Sequence, residues 1–354
     1  MNNTNRDEEL KRILSNINKQ NSNGYTALMN YINNNDTEMS KLLINEGANL
    51  DIKDNNGKTA LIYAALKNNI DICNLLISKG VYVDVRDNRG MTALKHAALK
   101  NNIDICNLLI NKGADVDIKD KFGQTILMIK CNRRSIPNYK DKYEDTLVLL
   151  MNAQRDINIK DTWGQTALII AIKSSYIKIC KLLIERGADI DIQDIAGMTP
   201  LMYAVSNNYK EKCKLLIDAG ANINIRNKNG ETALILAEQI QESIIRKREK
   251  RESNRESNRG SNTENNNNSI ALNIESEKNN KEIYELLIEA EKKQKGGKHI
   301  IRNNSKSSKK SLDLRVKKVE DLKKMCKKIG ISGYSKLKKE DLIKILSKKK
   351  DKKI

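Results

Sequence analysis

Residues 87–120 read DNRGMTALKHAALKNNIDICNLLINKGADVDIKD. Thr92 stands directly before an apolar run, where a side-chain hydroxyl caps the first turn of a helix. A second apolar run, "IDICNLLI", follows Asn101-Asn102. Gly113, in "KGAD", then supplies the positive φ that ends a helix. The closing "DVDIKD" is extended and leads into another turn. Two short helices with one apolar face between them cannot close a core alone, so this unit needs neighbours.

The neighbours are present. The phrase Gly-x-Thr-x-Leu begins at Gly24, Gly57, Gly90, Gly123, Gly164, Gly197 and Gly230, with successive spacings of 33, 33, 33, 41, 33 and 33. The run "LLI" starts at Leu42, Leu75, Leu108, Leu182 and Leu215, sixteen residues after the motif threonine. In the fourth unit "LLM" starts eight residues late, at Leu149; in the seventh, "LLI" starts at Leu286, which implies a 38-residue insertion. The block "AALKNNIDICNLLI" occurs identically at 64–77 and 97–110, the mark of an internal duplication. A period of 33 in this diction resembles the ankyrin repeat. The resemblance covers roughly residues 8–290 and implies an all-α solenoid of helix-turn-helix repeats with β-turn fingers. "DEELKRILSNI" places Leu10, Ile13, Leu14 and Ile17 on one stripe, as a capping half-repeat does. The chain departs from the family at the position usually held by His, where Met29, Ile62, Lys95, Met128, Ile169, Met202 and Ile235 stand. Loss of that His predicts looser coupling between turns.

Composition agrees with helices. Aromatics are 4% and there are two prolines, a balance that disfavours sandwiches and barrels. No apolar run approaches the ~18 residues of a membrane span, and the amino terminus is polar, so the chain reads as neither membrane-spanning nor secreted. Cys73, Cys106, Cys180 and Cys213 share one repeat position, two residues before the Leu-Leu pair, and are expected to pack as small apolar side chains. Cys131 and Cys326 are isolated, and His96 and His299 lie in unrelated segments. No paired-cysteine metal spacing, nucleophile–base couple or phosphate-cradling glycine loop occurs, so the expectation is no catalytic residue, no metal and no cofactor.

By the resemblance, such arrays bind proteins along their turn tips and inner helix face. The only Phe and the only Trp, Phe122 and Trp163, immediately precede the motif glycines of adjacent units, beside Arg89 on the tip before. Trp and Arg dominate protein hot spots, so Arg89, Phe122 and Trp163 are candidate contacts. The alternative is that an aromatic at this place packs on the neighbouring turn. Arg133 and Arg134, in the short insertion at about 131–142, bulge between those two tips and extend the candidate surface or form a tolerated loop.

The positive charge is concentrated at the end of the chain. Residues 295–354 hold 22 Lys+Arg against 6 Asp+Glu, a net +16, whereas the first 294 hold 43 against 39, a net +4. That asymmetry predicts an anionic partner for the tail. Val319, Leu322, Met325, Cys326 and Ile329 fall on one side of a helical wheel and Lys323, Lys324, Lys327 and Lys328 on the other. After "GISGYS", Leu342, Ile345 and Leu346 define a second stripe. "VEDLKKMCKKIGISGYSKLKKEDLIKIL" resembles the SAP-like helix-extension-helix modules, especially that at the amino terminus of transcription terminator Rho. The resemblance implies nucleic-acid binding or docking, with Tyr334, Ser335, Lys336, Lys338 and Lys339 toward the phosphates and Lys323 and Lys327 in support. Ser335 as a helix cap and Tyr334 as a packing residue are the competing roles.

The resulting organisation is a capping half-repeat (1–20), ankyrin repeats (21–238), a low-complexity disordered insertion (239–280) and a closing helix (281–294). A basic flexible linker (295–311), the small two-helix module (312–348) and a basic tail (349–354) follow. The expected function is a monomeric, non-enzymatic adaptor whose array binds an unidentified protein and whose tail tethers it to nucleic acid, DNA before RNA. The alternative is a viral host-interaction or ubiquitin-ligase adaptor whose tail docks a protein. Abundant Asn, Lys and Ile, with the "TALIYA" and "GADIDI" phrasing, resemble the ankyrin families of giant DNA viruses, which implies the cytoplasm or nucleus of a eukaryotic host cell.

Overall fold

A computed structural model describes residues 3–132, 140–174, 176–257 and 267–296. The chain divides into two compact units, Met1–Tyr203 and Ala204–Ile354. Every regular element among the described residues is a helix. In the first unit α1 (Asn3–Leu14) precedes the pairs α2 (Ala27–Asn33) and α3 (Thr37–Asn45), α4 (Ala60–Leu66) and α5 (Ile70–Ser78), and α6 (Ala93–Lys100) and α7 (Ile103–Asn111). The pairs α8 (Ile126–Cys131) and α9 (Lys140–Ala153), and α10 (Ala167–Lys173) and α11 (Ile177–Glu185), complete it. Helix α12 (Pro200–Ser206) crosses the boundary, and α13 (Lys210–Asp218), α14 (Ala233–Ser257) and α15 (Asn267–Gly296) belong to the second unit. The architecture is an all-α ankyrin-repeat solenoid.

The first helix of each pair starts where the sequence places a hydroxyl. Thr26, Thr92, Thr125 and Thr166 accept hydrogen bonds from the backbone N–H three residues on, at 3.3–3.4 Å. Each such cap stabilises its helix by ~1 kcal/mol. Thr59 has the same extended backbone without that bond. Asn35, Asn68 and Asn101 turn the chain between the helices of a pair with φ of 61°, 57° and 59°, a conformation Asn tolerates better than most residues. Leu28, Ile32, Leu43, Ile72, Leu76, Leu94, Ile105 and Leu109 are at most 1% exposed and form one continuous core cluster, against which Ile13, Leu14 and Ile17 pack. Cys73, Cys106 and Cys180 lie in the second-helix layer of this unit and are wholly buried. Burial pushes the Cys73 and Cys106 thiols up to about 12, so they act as apolar packing groups.

The turn tips are joined to one another without the His of the family pattern. A backbone ladder joins successive tips: Asn55 N–H donates to Asn23 O, Asn88 to Asn56, Lys121 to Arg89, Thr162 to Phe122 and Ile195 to Trp163, at 2.8–3.3 Å. Side chains on the first helices add to it. Lys95, at the family's His position, buries its ammonium and donates to Gln124 O of the next unit at 2.8 Å. One residue further along, Tyr63, His96 and Tyr203 reach the tip carboxylates of Asp54, Asp87 and Asp194 at 2.6, 2.9 and 2.5 Å.

Within 239–280, read from sequence as a low-complexity disordered insertion, the described residues are helical. Helix α14 continues to Ser257, and α15 is already helical from Asn267. Ala233 and Ala237 anchor the start of α14 in buried positions, which removes the nucleation cost of the polar extension. Its Arg, Lys, Glu and Gln are strong helix formers, and Glu242 pairs with Arg246 one turn on at 3.5 Å. Helix α15 packs on this unit through Ile283 and Leu287, both fully buried. Asn208 donates to Ser276 O at 3.0 Å, and Lys210 pairs with Glu282.

Candidate functional site: an aromatic ridge and its cleft

The five tips from Asp54 to Asp194 are each organised by one carboxylate, and the first and last by Asn21 and Asn227 in its place. Asp120 Oδ1 accepts from the backbone N–H of Phe122 and Gln124 at 2.8 and 2.9 Å, and Asp161 Oδ1 from Trp163 and Gln165 at 2.9 and 2.8 Å. These bonds fold the acid inward and push the intervening side chain outward. The motif glycines let the next tip approach. Gly123 has φ +72°, and a Cβ there would stand 2.8 Å from Thr162 N. Thr162 adds a side-chain bond from its Oγ1 to Phe122 O at 2.9 Å.

This close spacing brings Phe122 and Trp163 together. Their rings stack with centroids 6.3 Å apart and planes 17° from parallel, yet they are 56% and 45% exposed. Such a pair contributes about 0.5–1.5 kcal/mol beyond its buried area and holds both rings in one orientation. Packing on the neighbouring turn and exposure to solvent are therefore both true of it. Arg89 occupies the tip before and is exposed; its carbonyl accepts from Lys121 N at 3.3 Å. Ile195, 56% exposed, continues the ridge onto the next tip, where its N–H bonds Trp163 O at 3.1 Å.

Below the ridge an open cleft of about 400 Å³ is lined by Gln124, Asn132, Trp163, Gln165, Ile170 and Lys173. Lys173 Nζ lies 4.9 Å from the Tyr203 ring centroid and 3.3 Å from Gln165 Oε1. Gln124 Nε2 reaches Asp161 Oδ2 at 3.5 Å. The cleft thus offers primary amides, one ammonium and an aromatic wall, with no nucleophile–base couple among these residues. Among the described residues no group of His, Cys, Asp and Glu could hold a metal ion.

Of the residues singled out from sequence, the structure gathers Arg89, Phe122 and Trp163 on three consecutive tips. Arg133 and Arg134 follow directly on the cleft residue Asn132 and lie outside the described residues, as do Lys323, Lys327, Tyr334, Ser335, Lys336, Lys338 and Lys339. Sequence reasoning missed Ile195, Gln124, Gln165 and Lys173. The signal for two of them was present: the residue between motif Gly and Thr is Gln only in the fourth and fifth units.

Comparison with known proteins agrees with this geometry. The family described as ankyrin repeats (3 copies) matches residues 1–87, 81–141, 94–194, 135–227 and 194–247. The family described as Rho termination factor, N-terminal domain, matches residues 313–353. Among solved structures the chain is similar to the crystal structure of the ankyrin repeat domain of Bcl-3, a unique member of the IkappaB protein family. That likeness covers 61% of this chain and 95% of the other, with 22% identity and a TM-score of 0.54, and it concerns the fold. No curated protein matches the chain. With the repeat matches spanning residues 1–247, the chain belongs to the ankyrin-repeat family.

Proposed function

We propose that this protein is a non-enzymatic adaptor. Its array captures a protein along the turn tips and inner helix face, and its basic C-terminal module tethers the assembly to nucleic acid, DNA before RNA. The observation that carries the first half is the stacked, half-exposed Phe122–Trp163 pair flanked by Arg89 and Ile195. Large apolar rings held rigidly in solvent gain more from being covered than a flexible surface does. The second half rests on the Rho-like match at 313–353 and on the net +16 of the last sixty residues. Lys336, Lys338 and Lys339, with Lys323 and Lys327, are the proposed phosphate contacts, and the nucleus or cytoplasm of a host cell is the proposed place of action.

The full chain is expected to bind duplex DNA with an affinity that falls steeply with salt. A chain ending at Gln294, or one with Lys336, Lys338 and Lys339 replaced by Ala, should lose that binding and keep its helical signal. DNA binding that survives truncation, or that ignores salt, refutes the tether. In parallel, the double variant F122A/W163A should lose protein partners retained by the intact chain in affinity capture. An unchanged set of captured proteins refutes the tip surface.

A further inference from the structure

Four successive tips of the first unit occupy residues 86–91, 119–124, 160–165 and 193–198. Their cations, Arg86, Arg89, Lys119, Lys121 and Lys160, are all exposed. Their carboxylates are not. Asp87, Asp161 and Asp194 are buried and Asp120 is half-buried, and in each Oδ1 accepts two backbone N–H groups. The second oxygens of Asp87, Asp161 and Asp194 are also engaged, by His96, Gln124 and Tyr203. Acids turned inward and cations left outward give this ridge a positive outer potential that the near-balanced composition of the array hides.

The cleft repeats the pattern. Lys173 is exposed, and the Tyr203 ring and the Gln165 amide oxygen beside it are both uncharged groups. A carboxylate arriving there would meet an ammonium already oriented. Gln124 spends its donor on Asp161, and Gln165 is engaged by Lys173 and Tyr203, so an arriving peptide backbone would exchange these bonds for its own on the two planar amides. Trp163 supplies the wall, and Phe122 and Ile195 extend it on either side.

We propose that this cleft and ridge bind an acidic, extended peptide segment of a partner protein. One carboxylate of the segment sits on Lys173, its backbone lies along Gln124 and Gln165, and an apolar side chain lies on the Phe122–Trp163–Ile195 ridge. The proposal rests on the protein-binding reading above and assigns its chemistry. A nucleic acid fits less well. Phe122 and Trp163 spend facing surfaces on each other, where a single strand stacks its bases on open aromatic faces.

The test uses the full chain as bait for a random library of phage-displayed peptides, followed by a labelled synthetic copy of the peptide recovered. Asp- and Glu-rich sequences around an apolar residue should be selected, and binding should shift the emission of Trp163, the only tryptophan. Lys173→Glu should weaken binding about tenfold or more, equivalent to ~1.4 kcal/mol, and a copy with Lys in place of its acids should favour that variant. Lys173 is exposed at the surface, so circular dichroism of the variant should be unchanged. Selection of basic or uncharged peptides, no selection at all, or indifference to Lys173→Glu overturns the proposal. So does an oligothymidylate that shifts Trp163 emission and displaces the peptide, which would make the cleft a nucleic-acid site. If F122A/W163A loses captured partners while acidic peptides are ignored, the peptide chemistry is wrong and the protein-binding reading stands.

Discussion

Gly123→Ala should cost the array more than Gly113→Ala, although both glycines have left-handed backbones, with φ of +72° and +87°. A non-glycine residue in that region costs roughly 1–2 kcal/mol at either place. At Gly113 nothing lies within 4 Å of an added Cβ, so the cost ends there. At Gly123 the new atom would stand 2.8 Å from Thr162 N, 3.1 Å from Thr162 Cγ2 and 3.2 Å from Asp161 C. Two of these three are backbone, so the following tip must move. Moving it weakens the bonds from Thr162 N and Oγ1 to Phe122 O, now 3.2 and 2.9 Å, each a net ~0.5–1.5 kcal/mol. The extra loss is therefore about 1–3 kcal/mol, and the Trp163 ring should leave its stack on Phe122. Urea unfolding followed by far-ultraviolet dichroism measures the first effect, and native Trp163 emission the second. Asn separates the two causes, because it tolerates left-handed φ but keeps its Cβ. Gly113→Asn should be mild and Gly123→Asn severe. Equal midpoint shifts for the two sites in either series refute the claim that tip-to-tip approach governs this surface.

Two buried bases should leave the same mark on the pH dependence of stability, a rise with pH, in two different windows. Burial lowers Lys95 from 10.5 to about 8, so between pH 8 and 10.5 the unfolded chain binds the extra proton and stability rises with pH. Lys95→Met should remove that rise, by up to ~1.4 kcal/mol per pH unit, when its unfolding midpoints are subtracted from those of the parent; a constant difference refutes it. Burial also lowers His96 below 6.5, outweighing the Asp87 bond that acts the other way. Stability should be full above pH 6.5 and fall as pH drops below it, an acid-side loss that His96→Gln should abolish and that the same subtraction detects.

The repeat was legible because its determinants are local. Thr caps at Thr92 or Thr166 and left-handed glycines at Gly113 or Gly187 are demanded by backbone geometry wherever the unit recurs, so the 33-residue period carries them in plain view. The candidate tips were legible for the same reason, since Phe122 and Trp163 stand next to their motif glycines. The cleft was not. Lys173 lies at the end of α10, eight residues from Gln165, and Gln124 comes from the unit before. Only stacking brings them to one space. The inward turn of the tip acids was equally hidden, because a count of charges does not say which of them are hydrogen-bonded to backbone. At 239–257 polar composition argues against burying a core and does not address the extension of a helix already begun, which is how α14 runs to Ser257.

The fourth unit shows why an irregularity can leave a binding surface intact. Its spacing to the next motif is 41 residues instead of 33, yet the ladder from Thr162 N to Phe122 O closes at 3.2 Å, as it does elsewhere. The added length therefore leaves the spacing of the tips unchanged. Helix α9 takes up part of it, with fourteen residues where α7 and α11 have nine. Tyr143 near its start is wholly buried, donates its hydroxyl to Lys130 O and places its ring 4.4 Å from Lys130 Nζ. Lys130 in turn donates to Ala98 O and Asn101 Oδ1 of the preceding unit at 3.0 and 2.7 Å. The two helices that flank residues 133–139 are thus joined to each other and, through Lys130, to the unit before, while Asp120 and Asp161 keep their turn bonds. The register of the tips is set by the ladder and the Asp turns, and the chemistry of the surface by whichever side chains those turns hold outward. In this chain the outward positions of consecutive tips hold Phe122 and Trp163, and the ladder brings them within stacking distance across the longest interval between its units.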